Sequence, residues 1–183
     1  MQYELTTPCT AADLAPLKAG DTVLLSGVVY TARDQAHKRM LEALDKGEKL
    51  PFDLEGSAIY YVGPTPERPG EVIGSAGPTT SGRMDAMSPR LLDLGNKIMI
   101  GKGKRDAAVK EAVVRNGAVY LAALGGAGAL MAKRIQTLEV IAWPDLGCEA
   151  VRRLTVQDMP LTVILDAHGG DLYLEGPEAY RNR

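Results

Sequence analysis

The chain has 183 residues and a formal net charge of −2, and aromatic residues make up 5% of it. This length allows one domain with a sizeable core and is short for two, so we expect a single domain over residues 1–183. The nearly neutral charge and the few aromatic side chains argue against binding of nucleic acid or of an anionic membrane surface.

Apolar runs and helical periodicities alternate along the chain, which is typical of an α/β fold. In chain order, the predicted elements are a strand at residues 22–29, a helix at 33–45, strands at 58–62 and 71–73, a helix at 83–94, a strand at 97–100, a helix at 106–115, a strand at 118–123, a helix at 125–133, and β-rich segments at 138–143, 151–157 and 161–166. The sequence therefore predicts an α/β class with additional β structure towards the C-terminus.

The composition also carries expectations about location. No apolar run approaches the roughly 20 residues that a membrane-spanning helix needs. Residues 1–10 lack the charged-then-apolar order of a secretory signal peptide. We therefore expect a cytoplasmic protein.

The two cysteines, Cys9 and Cys148, are far apart and stand in no CxxC or Cys/His spacing. A disulfide framework and a metal site within this chain are therefore not expected. A [4Fe-4S] cluster usually needs three or four thiolates. If a cluster takes part in the chemistry, we expect another polypeptide to hold it.

Two hydroxyls and an arginine stand between glycines in residues 77–85, which we call the signature loop. Such a loop can direct backbone N–H groups, the hydroxyls of Thr79 and Thr80 and the guanidinium of Arg83 onto one anion. The alternative is that Thr79 or Thr80 is an ordinary helix N-cap and that Arg83 is solvated. The residues alone leave the two interpretations about equal.

Arg33 lies between a predicted strand and a predicted helix, where ligands gather in α/β proteins. The alternative for Arg33 is a surface pair with Asp34, which stabilises little. His37 borders the apolar stripe of the predicted helix, which favours a half-buried histidine that supports Arg33.

Lys102 lies in residues 101–105, again between a strand and a helix. This segment is not a P-loop, because the GxxxxGK[ST] spacing is missing, and the alternative is three solvated cations. Its position at a strand end favours a role for Lys102 beside Arg33. Two arginines, a lysine and two hydroxyls at such strand ends suit a dicarboxylate ligand, because a guanidinium binds a carboxylate through two hydrogen bonds.

Several longer motifs follow one another along nearly the whole chain. They are residues 30–34 with 36–37, 50–52, 60–66, 74–80, 83–85, 102–103, 146–150 and 156–160. In this order they resemble the β subunit, elsewhere the C-terminal domain, of the iron–sulfur fumarate and tartrate dehydratases. A single short motif would be weak evidence for a family, whereas this many motifs in the right order make the resemblance specific.

The resemblance implies a three-layer, swivelling β/β/α domain with a mixed, largely parallel central sheet. It implies a hydro-lyase that reversibly dehydrates a hydroxy-dicarboxylate, either malate to fumarate or L-tartrate to oxaloacetate. The [4Fe-4S] cluster of this family lies in the α part, where one iron without a protein thiolate is a Lewis acid for the substrate. We therefore expect an α subunit as partner, in an α2β2 heterotetramer.

The resemblance also implies roles for individual residues. Arg33, Arg83 and Lys102 correspond to the cationic groups that bind the substrate carboxylates. Thr79 corresponds to the proposed base, which takes a proton from the carbon next to the departing hydroxyl, and Thr80 hydrogen-bonds in the same pocket. A threonine alkoxide needs cations and a carboxylate nearby, and we expect that carboxylate from the α subunit.

Other functions remain open at this stage. A non-catalytic dicarboxylate-binding or regulatory subunit would keep the pocket without the chemistry, and a purely structural subunit would not need the arginines. Fumarate and tartrate cannot be separated, because their hydroxy-acid forms differ by one hydroxyl.

Overall fold

The computed structural model describes residues 1–123 and 126–181, and this part of the chain forms an α/β fold with seven strands. The strands are β1 (Gln2–Thr6), β2 (Thr22–Thr31), β3 (Ala58–Tyr60), β4 (Ile98–Gly101), β5 (Val119–Ala122), β6 (Ile135–Ala142) and β7 (Val151–Leu165). The α-helices are α1 (Ala11–Leu14), α2 (Asp34–Asp45), α3 (Ser88–Asp93), α4 (Ala107–Arg115), α5 (Gly128–Ala132) and α6 (Leu172–Arg181), and the 3₁₀ helices are Ser81–Met84 and Pro144–Glu149.

The sheet closes on itself because β7 is long enough to pair with two distant strands. The strand order is β1-β2-β3-β4-β5-β7-β6, and β2 also pairs with β7. From β1 to β5 all neighbouring strands are parallel, whereas every pairing of β7 is antiparallel. Strands β2, β3, β4, β5 and β7 therefore form a closed, barrel-like ring of mixed direction. The predicted α/β class and mixed sheet are confirmed.

Alternating side chains along the ring strands divide the core in two. Within β3, Tyr60 belongs to the cluster that fills the ring, while Ile59 belongs to the outer cluster. The inner cluster takes apolar residues from all five ring strands. The outer cluster joins the ring to the apolar faces of α2, α3 and α4. These three helices therefore cover the parallel part of the sheet.

Most of the local predictions are confirmed with shifted boundaries. The strands predicted at 22–29, 58–62, 97–100, 118–123 and 138–143 correspond to β2, β3, β4, β5 and β6, and the helices predicted at 33–45 and 106–115 correspond to α2 and α4. The helix predicted at 125–133 is confirmed as the shorter α5, while Gly125 lies outside the described residues. The elements β1, α1 and α6 were not predicted.

Two predictions are wrong in detail, and a third is confirmed with its two segments joined. Residues 71–73 are irregular rather than strand, and they follow a turn in which the Glu71 N–H donates to the Arg68 carbonyl and Gly70 has a φ of +85°. The helix predicted at 83–94 is split, because Pro89 suits the first turn of α3 but cannot continue an earlier helix. The segments 151–157 and 161–166 form one strand, since a bulge at Asp158 carries β7 past the interruption.

Gly27 offers a test of the packing beside this bulge, because it pairs with Val156 directly after the register shift and has a φ of +102°. A Cβ there would lie 2.6 Å from Thr7 Oγ1 and 2.9 Å from the Thr7 carbonyl oxygen. Gly27→Ala should therefore lower the free energy of unfolding by about 3 kcal/mol, through backbone strain and overpacking. Urea denaturation measures this loss.

Gly47→Ala is the matched control. Gly47 has a φ of +70°, but an added Cβ would meet no described atom within 4 Å. Strain alone should lower the stability by about 1 kcal/mol. Equal losses in the two variants would contradict the close packing of Thr7 on Gly27.

Candidate functional site

Three parallel strands end side by side and bring the sequence-predicted residues to one edge of the sheet. β2 pairs with β3, and β3 pairs with β4, all in the same direction. Arg33 follows the end of β2, Gly63 follows the end of β3, and Lys102 follows β4 directly. In both open α/β sheets and closed α/β barrels, ligands bind at the carboxyl ends of the parallel strands.

The signature loop crosses the ends of β3 and β4. The Thr79 N–H donates to the Tyr61 carbonyl at 2.7 Å, and the Ser81 N–H donates to the Lys102 carbonyl at 2.8 Å. The Ser81 Oγ in turn accepts from the Lys102 N–H at 3.1 Å. These backbone contacts hold the two threonines beside Lys102. Thr79 is half-buried, whereas Thr80 and Lys102 are exposed.

The structure does not support the helix-cap interpretation of the loop. Thr80 precedes the 3₁₀ helix Ser81–Met84, but its side chain makes no capping bond to the described residues. Arg83 is also not simply solvated, because its Nε donates to Asp34 Oδ1 at 2.9 Å. Arg83 therefore links the loop to the start of α2, where Arg33 lies.

Arg33 does not pair with its neighbour Asp34, so the surface-pair interpretation is wrong. Its Nε lies 3.4 Å from Glu149 Oε1. Its guanidinium also packs on Gly63, where a Cβ would lie only 2.4 Å from Nη1. Glu149 belongs to the motif at residues 146–150. Its contact partner Arg33 lies more than a hundred residues earlier in the chain, so no local sequence pattern could reveal the contact.

His37 is fully buried rather than half-buried, and it contacts Arg33 through the backbone. Its Nδ1 lies 3.0 Å from the Arg33 carbonyl oxygen, and its ring meets the Tyr61 ring edge-on at 5.3 Å. A carbonyl only accepts, so Nδ1 carries the proton. Burial lowers the pKa of His37 to about 4 although the Arg33 carbonyl opposes this shift. The imidazole is therefore neutral near pH 7.

Unsatisfied polar atoms concentrate at the start of α2. Within residues 1–123 and 126–181, the buried side-chain polar atoms without a hydrogen-bond partner are Arg33 Nε, Asp34 Oδ2 and His37 Nε2. Buried polar groups in folded proteins are nearly always hydrogen-bonded. Their concentration in five consecutive residues sets this turn apart from the rest of the described core.

A buried arginine lies beneath the signature loop and was missed in the sequence. The alternative for residues 101–105, three solvated cations, includes Arg105, but the Arg105 side chain is inaccessible to solvent. Its Nε donates to Asp85 Oδ1 at 2.5 Å, and its Nη2 donates to Ser88 Oγ at 2.9 Å. The guanidinium carbon lies 5.3 Å and 5.0 Å from the ring centroids of Tyr61 and Tyr120. The partners are scattered along the chain, so no local pattern indicates the site.

The Arg105 network reaches the candidate site through hydroxyl groups. The Tyr120 hydroxyl lies 2.9 Å from Ser81 Oγ and 2.9 Å from the Gly103 carbonyl oxygen. Asp85 Oδ2 accepts from the Asp106 N–H at 2.7 Å, at the start of α4. The signature loop, the end of β4 and the start of α4 are therefore joined by one buried polar network.

The cysteines do not fit a cluster of the [4Fe-4S] type. Cys9 is buried in the inner core, and desolvation, with a smaller contribution from Asp13, raises the pKa of its thiol to about 11. Cys148 is exposed and far from Cys9 in sequence. Among the described residues, no group of three or more His, Cys, Asp or Glu side chains is arranged for a metal ion.

Comparison with known proteins identifies one family. The family model described as "Fumarase C-terminus" matches residues 1–176. The L(+)-tartrate dehydratase subunit beta of Escherichia coli is 32% identical, over 100% of this chain and 92% of its own length. Fumarate hydratase 2 of Leishmania major is 39% identical, over 87% of this chain and 28% of its own. The aerobic class I fumarate hydratase of Escherichia coli is 37% identical, over 88% of this chain and 30% of its own length. The chain thus spans less than a third of these fumarate hydratases.

Asp85→Asn tests the buried network. The substitution keeps the shape of Asp85 but leaves the Arg105 charge uncompensated in the core. The free energy of unfolding should fall by about 3 kcal/mol, measured by urea denaturation. The control is Asp93→Asn, which breaks an exposed pair with Arg115 and should change stability by less than about 1 kcal/mol. Similar small losses in both variants would show that the pair does not stabilise the core.

His37 makes a prediction about pH. The unfolded chain binds a proton at the ordinary pKa of 6.5, whereas the folded chain does not until about 4. Stability is therefore complete above pH 6.5 and should decrease as the pH falls towards 4, by about 3 kcal/mol from this residue. In His37→Asn, whose amide can replace the Nδ1 donor, this part of the decrease should vanish. Urea denaturation across this pH range measures it, and equal slopes in the two proteins would contradict the buried, neutral histidine.

Proposed function

The chain belongs to the Fumarase C-terminus family, and on this basis we propose that it is the β subunit of a hydro-lyase. The enzyme reversibly dehydrates a hydroxy-dicarboxylate, with malate and L-tartrate as the candidate substrates. The observation that supports this most strongly is that Arg33 and Lys102 follow parallel strands of one sheet edge, where the signature loop pairs with Lys102 at Thr80 and reaches Asp34, the neighbour of Arg33, through Arg83. The names of the relatives include fumarate hydratase and tartrate dehydratase.

In this proposal the cations bind the two substrate carboxylates. Arg83 pairs with Asp34 through Nε alone, so its terminal nitrogens can bind a carboxylate through two hydrogen bonds. Lys102 is exposed at the end of β4 and supplies a compact charge whose direction is less restricted. His37 supports Arg33 through its backbone carbonyl. It does not exchange protons near neutral pH.

Thr79 is the proposed base. Its Oγ1 takes the proton from the carbon next to the hydroxyl-bearing carbon. The electrons of that C–H bond form the double bond, and the hydroxyl group leaves with the electrons of the C–O bond. A threonine hydroxyl ionises only near positive charge, which Arg83 and Lys102 provide. Thr80 hydrogen-bonds in the same pocket.

The proton of the Thr79 hydroxyl must go to a carboxylate. Two carboxylates of this chain lie in the cluster, but Asp34 is paired with Arg83 and Glu149 with Arg33. The carboxylate that receives this proton therefore belongs to a partner subunit.

The rest of the enzyme is an α subunit that carries a [4Fe-4S] cluster and assembles with this chain as α2β2. The described cysteines of this chain do not suit a cluster, and Thr80, Arg83 and Lys102 are exposed on the side that a partner must cover to exclude water. Residues 1–183 act as one β/β/α domain with three layers, which swivels to close this pocket. No helix in the described part of the chain has the length and apolarity of a membrane span, and we place the enzyme in the cytoplasm.

The proposal is tested by purifying the chain anaerobically with its partner and following malate and tartrate dehydration. Thr79→Val removes the hydroxyl at nearly constant shape, so kcat should fall by about 10²–10⁴-fold. Binding of fumarate, measured by calorimetry, should persist. The matched control is Thr137→Val, a change to an exposed threonine on β6 that should leave kcat unaltered.

Two results would contradict this function. Turnover by the chain without its partner would exclude the division between subunits, and normal turnover in Thr79→Val would exclude the proposed base. If the complex has no turnover while the chain alone binds dicarboxylates tightly, the dicarboxylate-binding or regulatory subunit is the better description.

A further inference from the structure

The 3₁₀ segment Pro144–Glu149, between β6 and β7, is fastened to helix α2 at its beginning. Arg39 of α2 donates to both carboxylate oxygens of Asp145, at 2.9 Å and 2.5 Å. The Arg39 guanidinium carbon also lies 5.9 Å from the centroid of the Trp143 ring. A two-point arginine–carboxylate contact fixes orientation as well as distance. The start of the segment is therefore oriented on the same helix that begins next to Arg33.

The end of the segment is held by a second arginine, Arg152 at the start of β7. Its Nη1 donates to the Cys148 carbonyl at 3.0 Å and to the Ala150 carbonyl at 2.9 Å. Its Nη2 donates to the Gly147 carbonyl at 2.9 Å. Glu149 therefore lies between two residues whose carbonyls Arg152 binds. Its backbone has little freedom, so its side chain leaves the segment in a defined direction.

The side chain of Glu149 points towards Arg33. Its Oε1 lies 3.4 Å from Arg33 Nε, and the two side chains are 16% and 21% exposed. On another side Arg33 packs against Gly63, where a Cβ would lie 2.4 Å from Nη1 and 3.3 Å from the Cys148 carbonyl oxygen. The Arg33 side chain thus lies between the end of β3 and the Pro144–Glu149 segment.

We propose that Glu149 is a positioning residue for Arg33 and that Arg152 holds Glu149 in place. The inference rests on the proposed function, in which Arg33 binds a substrate carboxylate. The Glu149 carboxylate, 3.4 Å from Nε, forms an ion pair at that edge of the guanidinium without a hydrogen bond, and it leaves the terminal N–H donors for the ligand. It also restricts the rotamers of a long side chain before the substrate arrives, which lowers the entropy lost on binding.

The test measures KM and kcat of the complex of this chain with its partner, for the dicarboxylate that it turns over. In Glu149→Gln, KM should rise about tenfold, equivalent to about 1.4 kcal/mol, with kcat changed less than twofold. Arg152→Ala should raise KM similarly by releasing the segment. The double variant should be little worse than either single one, because both act through Arg33. The matched control Asp45→Asn breaks an exposed pair with Arg90 and should change neither constant.

A second readout does not depend on activity. In the full chain alone, the ¹⁵N resonance of Arg33 Nε should shift in Glu149→Gln, and its proton should exchange faster with solvent. An unchanged resonance would overturn the inference, and so would an unchanged KM with only a lower melting temperature. A decrease in KM would overturn it too, because Glu149 would then compete with the substrate. If the complex turns over no dicarboxylate, the proposed function fails, whereas the resonance still reports on the Glu149–Arg33 contact.

Discussion

The Arg105 guanidinium has no access to solvent, so its charge must be balanced inside the protein, and much of the site depends on how this is done. Asp85 supplies the opposite charge, Ser88 a hydrogen bond, and the rings of Tyr61 and Tyr120 cover the guanidinium. Removing two charges from water is unfavourable unless their remaining hydrogen bonds are satisfied. That condition links Asp85, the last residue of the signature loop, to the end of β4 and the start of α4. The signature loop is therefore held from beneath by a network that admits few alternative arrangements.

The closed ring explains why the network and the site coincide. Parallel neighbours β2, β3 and β4 must end at one edge, and the chain can leave that edge only through connections that cross above it. β7 returns antiparallel between β2 and β5 and brings the Pro144–Glu149 segment to the end of β2. Residues that are distant in sequence, such as Arg33 and Glu149, meet because the ring closes.

Sequence reasoning succeeded where the signal is local. The apolar run of β2 and the helical periodicity of α2 and α4 were enough for the class, and the rule that ligands gather at parallel strand ends placed Arg33 and Lys102 together. Closure of the ring was not predictable, because it depends on β7 pairing with two strands far away in sequence. The burial of Arg105 was missed for the same reason: beside Lys102 and Lys104 it has the composition of a solvated loop, and its acceptors lie some 17 and 20 residues earlier.

Three arginines of this region lie with Nε next to a carboxylate of the chain. They differ in whether their terminal nitrogens also have partners. Arg83 and Arg105 donate through Nε to a carboxylate of this chain, and Arg33 Nε lies 3.4 Å from a carboxylate oxygen without a hydrogen bond. In Arg105 the terminal nitrogens are also used, by Ser88 and Met99, and the side chain is inaccessible. Arg33 and Arg83 retain exposed surface, and their pairing leaves the terminal edge of the guanidinium for another carboxylate. A carboxylate at Nε therefore has two benefits. It lowers the repulsion between neighbouring cations, and it aims the unused donors in one direction, which in the proposed function suits a ligand with two carboxylates better than a single anion.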